Sequence, residues 1–170
     1  MVQLETERLI IRESVTDDAQ DLFEMDSDPV VQRYTGDVMP ASVSETADRI
    51  ANYKDYKKYG YGRWTTILKE TNEIIGWCGL KYLEDINETD LGYRWKQKHW
   101  GKGYATEASM ACLKYGFEEL NLPQIVAQVL EDNGASIRVL EKVGMKYWKQ
   151  LYTEENPGLF YRILKEEFLL

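Results

Sequence analysis

A short glycine-rich segment that leads directly into a helical pattern constrains this chain more than any other feature. The segment reads Trp100-Gly-Lys-Gly-Tyr-Ala-Thr-Glu-Ala108. A glycine turn at the start of a helix leaves backbone N–H groups free, and the helix dipole adds partial positive charge at the same place. Between Asp90 and Glu107 the chain has no acidic residue but four basic ones, Arg94, Lys96, Lys98 and Lys102. The segment therefore predicts a binding site for a phosphate group.

Composition restricts the class of protein and its partners. The chain has 170 residues, of which 44% are hydrophobic and 12% aromatic, values that suit one globular domain over residues 1–170. No apolar run approaches the roughly 20 residues that cross a bilayer, and the N-terminus lacks the pattern of a signal peptide. A net charge of −8 and a pI of about 4.8 argue against nonspecific binding to nucleic acid. We therefore expect a cytoplasmic protein that binds neither nucleic acid nor a membrane.

Metal binding is not expected either. The chain has one histidine and two cysteines, and their spacing matches no metal-ligand pattern. Cys78 and Cys112 stand among apolar residues, which predicts reduced thiols in the core. The position of Cys112 on an apolar helix face argues against an acyl-enzyme mechanism through that thiol.

Hydrophobic periodicity predicts the element order β-α-α-β-β-β-α-β-α-β-β. Leu9–Arg12 forms the first strand, and two helices follow on either side of a loop over Val30–Pro40. Gly60 and Gly62 end the second helix. Three strand patterns between residues 63 and 95 then predict an antiparallel meander.

The second half of the chain alternates between helix and strand. A helix follows the glycine segment, and the β-branched run Gln124–Leu130 reads as a buried strand. Asn133 caps a further helix, Gly144 ends it, and two strands close the chain. The whole order predicts an α+β fold built on a mixed sheet.

Spacing separates three kinds of phosphate-binding loop. A nucleotide P-loop needs G-x-x-x-x-G-K-[ST], but here Lys102 lies between the two glycines and Tyr104 follows Gly103. A dinucleotide fingerprint, G-x-G-x-x-G, fits only in its first half because Thr106 occupies the third glycine position. A loop that binds acyl-CoA is the remaining alternative.

These residues resemble the GNAT acetyltransferase superfamily, and in particular its branch of ribosomal-protein N-terminal acetyltransferases. The resemblance covers nearly the whole chain and is carried by Glu5–Arg12, Ile75-Gly76, Leu91–Tyr93, Trp100–Ala108 and Asn133–Met145. The family's loop pattern is Gln/Arg-x-x-Gly-x-Gly/Ala, and this chain has Lys98 at the first position. The resemblance implies a mostly antiparallel mixed sheet with helices on both faces, and acetyl-CoA as the cosubstrate.

The resemblance also implies a set of cofactor-binding residues. Tyr93 and Trp95 offer backbone groups to the pantetheine arm. Asn133 contacts the same arm or caps its helix, and Arg138 reaches the 3′-phosphate or joins a local ion pair. Backbone N–H groups around the two glycines hold the pyrophosphate, as a concave run of amides at a helix start is built to do. The loop residues in this set are Lys98, Gly101, Lys102, Gly103, Tyr104, Ala105 and Thr106.

In this family an amine attacks the acetyl thioester directly, so the amine must lose a proton and the departing thiolate must gain one. An α-amine, with a pKa of about 7.7–8.0, demands less of a base than a lysine amine at about 10.4. Ser136 matches a serine that acts as the acid in the N-terminal acetyltransferase branch, or it is a first-turn serine that bonds a helix N–H. Asp90 and Glu88 are candidates for the base, or they form a solvated strand end.

The acceptor is the least constrained part of the prediction. Tyr34 and Trp64 lie in regions that form the acceptor pocket in relatives, or else they pack in the core or on the surface. The resemblance implies transfer of an acetyl group from acetyl-CoA to a primary amine, above all the α-amine of a protein N-terminus. A small amine such as a polyamine, an aminoglycoside or an amino-acid derivative is the alternative acceptor. A non-catalytic acyl-CoA sensor is the alternative class, and either protein is expected to be a monomer or a homodimer.

Overall fold

The computed structural model describes residues 3–151 and 157–168. The strands in these ranges are β1 (Gln3–Glu5), β2 (Leu9–Arg12), β3 (Arg63–Leu68), β4 (Glu73–Leu83), β5 (Glu88–Trp95), β6 (Gln124–Leu130), β7 (Lys146–Leu151) and β8 (Gly158–Leu164). The helices are α1 (Ala19–Asp26), α2 (Pro29–Gln32), α3 (Val43–Ala51), α4 (Asp55–Tyr59), α5 (Tyr104–Glu118), α6 (Gly134–Lys142) and α7 (Lys165–Phe168).

The strands form one sheet in the order β1-β2-β3-β4-β5-β6-β8-β7. Among the described strands, every neighbouring pair runs antiparallel except β5 and β6, which are parallel. That parallel pair has a single point of registry, where Asp90 lies opposite Val126. Because pairing stops there, β5 and β6 separate toward their C-terminal ends and leave a cleft between them.

Helices cover both faces of this sheet. Trp77 and Cys78 are consecutive in β4, so their side chains lie on opposite faces. On the Cys78 face the sheet packs against α5, and the sulfur atoms of Cys78 and Cys112 lie 3.6 Å apart as buried free thiols. On the Trp77 face, Leu22 and Met25 of α1 belong to a second apolar cluster, against which Trp77 packs. The predicted α+β fold, with a mixed and mostly antiparallel sheet, is confirmed.

Two predicted elements differ from the structure in the first half of the chain. The loop predicted over Val30–Pro40 begins inside α2, because the Asp28 side chain accepts from the Val30 N–H at 2.9 Å and Pro29 suits a first helical position. The predicted second helix is two helices, α3 and α4, and the latter ends at Gly60, whose φ is 80°. Within the described ranges, no helix is both long and apolar enough to cross a membrane.

Candidate functional site

The glycine-rich segment forms a tight turn that opens α5. Gly101 and Gly103 have φ values of 73° and 82°, in the left-handed region that glycine adopts without strain. Gly103 is the N-cap of α5 and supplies no side-chain acceptor for the first turn. In the part of the chain that the structure describes, no atom accepts from the N–H groups of Gly101, Lys102 or Gly103. The turn therefore presents unused donors with the positive end of the helix dipole behind them.

The side chains around this turn differ in how much charge they leave available. Lys98 is paired with Glu73, whereas Lys102 and Arg138 are exposed, with no ion pair to another described residue. Burial lowers the pKa of the His99 imidazole, so His99 adds no positive charge at neutral pH. Lys102, which lies within the turn itself, thus adds its charge to that of the backbone donors.

The cleft between β5 and β6 lies beyond the Asp90–Val126 pair, and the C-terminal part of β5 forms one side of it. The rings of Tyr93 and Trp95 stack at 6.2 Å on the α5 face of β5. The indole N–H of Trp100 donates to the Trp95 carbonyl at 2.8 Å, so this acceptor is already engaged by the protein. Both Tyr93 and Trp95 are predicted to offer backbone groups to the pantetheine arm. Because the Trp95 carbonyl already accepts from Trp100, the backbone groups around Tyr93 are the ones left for that pairing.

The first turn of α6 faces this cleft. Asn133 caps the helix, because its side-chain oxygen accepts from the Ser136 N–H at 3.2 Å. The Tyr93 hydroxyl donates to the Ser136 carbonyl at 3.5 Å, which brings Ser136 and Tyr93 together. Burial raises the pKa of Tyr93 to about 12, so its phenol keeps the proton at neutral pH. The Tyr93 hydroxyl therefore lies against the backbone of Ser136, in the first turn of α6.

Asp90, one of the two carboxylates predicted as the base, is buried, and both of its carboxylate oxygens accept hydrogen bonds. Oδ2 accepts from Nη2 of Arg63 at 2.5 Å, and Oδ1 accepts from the backbone N–H of Gln128 at 3.2 Å. Burial raises the pKa of the Asp90 carboxyl, and the Arg63 guanidinium and the Gln128 N–H oppose that rise. The carboxylate holds β6 and Arg63 in place, so Asp90 is not the solvated strand end of the alternative prediction, and its role as the base stays a prediction.

Glycine makes the Arg63 contact possible. The Arg63 guanidinium lies over Gly92, where an added Cβ would stand 2.7 Å from it. Its Nη1 also donates to the carbonyls of Gly79 at 2.6 Å and Asp90 at 3.2 Å. An arginine on β3 thus crosses β4 and reaches β5, a long-range contact that the sequence motifs do not reveal.

Glu88, the other carboxylate predicted as a base, lies at the start of β5, before the point at which β5 and β6 separate. It is half-buried at the start of β5 and accepts from Nε2 of Gln124 at 2.6 Å. The cleft opens only beyond Asp90, so the structure does not bring Glu88 to it. Glu88 instead links the paired ends of β5 and β6.

A cavity of about 220 Å³ lies on the sheet face opposite α5, beneath α1 and α3. Its polar wall groups are paired: Tyr53 accepts from the Arg63 N–H at 3.1 Å, and Tyr56 donates to the Arg63 carbonyl. Asp26, which also lines the cavity, pairs with Arg94 at 2.7 Å. The aromatic and aliphatic part of the wall consists of Leu22, Pro40, Ile50, Tyr53, Tyr56 and Trp77.

The two aromatic residues predicted for an acceptor pocket do not line this cavity. Trp64 is fully buried on the α5 face and packs edge-on against Tyr115 at 5.5 Å, which agrees with core packing, the second of the two alternatives predicted for it. Tyr34 is half-buried on the loop after α2, with Arg33 over its ring at 5.1 Å. Trp77, which lies in β4 on the face opposite α5, is a tryptophan that does line the cavity.

Comparison with known proteins gives a consistent result. A family model described as an acetyltransferase (GNAT) domain matches residues 8–146. A relative from Bacillus licheniformis, the uncharacterized N-acetyltransferase p20, is 37% identical over 148 residues, which are 86% of this chain and 83% of p20.

Solved structures agree with that match. A GNAT-family acetyltransferase from Bacillus anthracis superposes with a TM-score of 0.83 at 29% identity, covering 97% of this chain and 99% of that one. RimL, a ribosomal α-N-protein acetyltransferase in complex with coenzyme A, has a TM-score of 0.83 at 16% identity, over 96% and 98% of the two chains. At that identity the likeness to RimL is one of fold alone.

Proposed function

The chain belongs to the GNAT family of N-acetyltransferases, and from that premise we propose that it acetylates the α-amine at the N-terminus of a protein or peptide. GNAT enzymes take the acetyl group from acetyl-CoA, and the turn at Gly101–Gly103 fits that cosubstrate. An added Cβ at Gly101 would meet no atom within 4 Å, so a phosphate has room to approach the unused amides. In this proposal the turn and Lys102 hold the pyrophosphate, and Arg138 lies where it can meet the 3′-phosphate.

The cavity under α1 and α3 is the observation that carries the acceptor assignment. Its volume of about 220 Å³ is below the roughly 300–1,000 Å³ typical of sites for drug-sized ligands, so it suits one side chain better than an aminoglycoside. Among the described residues that line it, the carboxylate of Asp26 is paired with Arg94. The two arginines of the wall are paired as well, Arg49 with Glu45 and Arg63 with Asp90. A polycation would therefore find no unpaired acid in this wall, whereas a peptide N-terminus with an apolar first side chain meets apolar walls.

The absence of a free carboxylate in that wall also favours an α-amine. Of the carboxylates predicted as bases, Asp90 is engaged by Arg63 and Glu88 lies outside the cleft. An α-amine with a pKa of about 7.7–8.0 is substantially neutral near pH 8, while a lysine amine at about 10.4 is not. An acceptor that loses its proton to water therefore needs no dedicated base from this chain.

Ser136 and Tyr93 are proposed to return a proton to the thiolate of CoA. Ser136→Ala is expected to lower kcat by at least ~10-fold, within the ~10²–10⁴ range of general acid–base effects, and to leave the Kd of CoA unchanged. Tyr93→Phe is the paired variant that removes only the phenol oxygen. Steady-state kinetics together with calorimetric titration of CoA separate the two quantities. An unchanged kcat in Ser136→Ala would leave Ser136 with only its place in the capped first turn.

Filling the cavity is expected to affect the acceptor alone. Ile50→Trp places a large ring in a space lined by α1 and α3, so the KM for a peptide acceptor is expected to rise at least ~10-fold because the first side chain is displaced. The KM for acetyl-CoA is expected to stay unchanged. Ala51→Trp, at the next and exposed position of α3, is the matched control. Equal acceptor KM values in the two variants would place the acceptor elsewhere.

A panel of amines tests the proposed acceptor class. The purified protein is incubated with acetyl-CoA and N-terminal peptides, polyamines or aminoglycosides, and both free CoA thiol and acceptor mass are followed. We expect acetylation of peptides with a free, apolar N-terminal residue. Acetylation of polyamines or aminoglycosides alone would overturn the α-amine assignment, and CoA binding without any transfer would favour an acyl-CoA sensor.

A further inference from the structure

The side chain of Arg8 forms a hydrogen bond to the backbone of the glycine turn. Arg8 lies in the connection between β1 and β2, yet its Nη1 donates to the Lys102 carbonyl at 2.9 Å, across 94 positions of sequence. Its guanidinium also lies over the ring of Tyr104, 4.6 Å from the centroid. No cofactor-loop pattern includes Arg8, because this residue lies 94 positions before Lys102 in the sequence.

The same arginine neutralises an acid that would otherwise oppose phosphate binding. Glu107 stands in the first turn of α5, and its Oε2 accepts from Nε of Arg8 at 2.6 Å. Its Oε1 accepts from Thr6 Oγ1 at 2.5 Å and from the Arg8 backbone N–H at 2.9 Å. Burial raises the pKa of Glu107, but these hydrogen bonds together lower it below its ordinary value. Glu107 is thus ionised, and the adjacent guanidinium of Arg8 neutralises its negative charge.

The contact with Lys102 fixes the direction of an amide. In a trans peptide the C=O and the following N–H both lie in the peptide plane and point in opposite directions, and none of the described peptide bonds is cis. Since the Lys102 carbonyl is turned toward Arg8, the Gly103 N–H is turned away from it. That N–H is one of the unused donors at the turn.

We infer that Arg8 is a positioning residue for the pyrophosphate of CoA, acting through the Gly103 amide and through Glu107 rather than by touching the phosphates. The inference rests on the proposed role of the turn in CoA binding, and it adds a residue of the β1–β2 connection to that site. Arg8, Glu107 and Thr6 together form a latch that joins the N-terminal strands to the start of α5. Loss of Arg8 frees the Lys102–Gly103 peptide to rotate and leaves the Glu107 charge facing the anion.

Calorimetric titration of CoA tests this role without any acceptor. Arg8→Met keeps an unbranched stem against Tyr104 but removes the charge and the donors, so the Kd of CoA is expected to rise about tenfold. Lys69→Met is the matched control, because Lys69 pairs with Glu5 and the Thr6 carbonyl at the same connection but does not contact the turn. Its Kd for CoA is expected to stay within twofold of the starting protein.

A second ligand separates an effect on the pyrophosphate site from direct contact with the 3′-phosphate. 3′-Dephospho-CoA keeps the pyrophosphate, so Arg8→Met is expected to weaken it by the same factor as CoA. A loss confined to CoA would mean that Arg8 binds the 3′-phosphate directly and would overturn the inference. An unchanged Kd with a lowered unfolding temperature would overturn it as well, by reducing the latch to a purely structural contact.

The outcome is distinguishable from that of the acceptor proposal. Because CoA is titrated in the absence of an amine, a wrong acceptor class leaves the Arg8 result untouched. A starting protein that does not bind CoA would overturn both the role of the turn and the role of Arg8.

Discussion

Replacing Gly103 with valine is expected to weaken CoA binding by about 100-fold, or nearly 3 kcal/mol at about 1.4 kcal/mol per factor of ten. Gly103 has a φ of 82°, where a non-glycine residue pays roughly 1–2 kcal/mol and a β-branched one more. The backbone escapes that strain by rotating, and rotation turns away the amides of the turn and the Arg8 contact behind them. Titration of CoA into the folded variant measures the effect.

The control for Gly103→Val is Gly60→Val. Gly60 has a similar φ of 80° at the end of α4, where an added Cβ would meet only a Leu120 methyl at 4.0 Å. The two variants therefore carry the same backbone strain, but only one carries it in the turn. We expect Gly60→Val to lose stability without losing CoA affinity. An unchanged Kd in Gly103→Val would remove the turn from the cofactor site.

Asp90→Asn is expected to cost stability rather than catalysis. The variant leaves the partly buried Arg63 without its counter-charge, and breaking such a pair costs about 3–5 kcal/mol. For a chain of this size that is a fall of roughly 6–20 °C in Tm, at about 2–4 °C per kcal/mol. The kcat is expected to stay within a few-fold at a temperature where both proteins are folded, since an amide oxygen still accepts from the Gln128 N–H. Thermal unfolding and initial rates give the two readouts.

The partner variant Arg63→Met completes the comparison. If Asp90 and Arg63 act as a pair, the double variant is expected to lose less stability than the sum of the two single variants. A fall of ~10²-fold or more in kcat for Asp90→Asn with an unchanged Tm would instead restore Asp90 as the base. Additive losses in the double variant would mean that the pair contributes nothing beyond its separate members.

Local signals were predicted well from sequence because the atoms that produce them lie close together along the chain. The glycine turn depends on the positive φ values of Gly101 and Gly103, and the Asn133 cap depends on a hydrogen bond from Ser136, three residues away. Element order followed from periodicity for the same reason. The division of the predicted second helix into α3 and α4 is not visible in the sequence pattern, because Gly60 and Gly62 mark only the end of that region.

Contacts between distant residues were not predictable in the same way. Trp64 and Trp77 both lie in predicted strands, but the face that each occupies depends on which helices cover the sheet. The Arg63–Asp90 pair depends on the glycine-lined path across β4, and Arg8 reaches the turn only because β1 and β2 lie beside α5. The sequence does place one glycine on each of two adjacent strands, Gly79 on β4 and Gly92 on β5. Such a pair leaves room for a long side chain, here that of Arg63, to cross the two strands.

The most direct test of the central claim uses two peptides of identical sequence with an apolar first residue and one internal lysine. One has a free α-amine and the other has that amine formylated. Each is incubated with the protein and acetyl-CoA, and fragment masses locate any acetyl group while free thiol is counted. The account predicts one acetyl group on the α-amine of the first peptide and no transfer to the second. Acetylation of the lysine in both peptides, or thiol release with neither peptide modified, would contradict it.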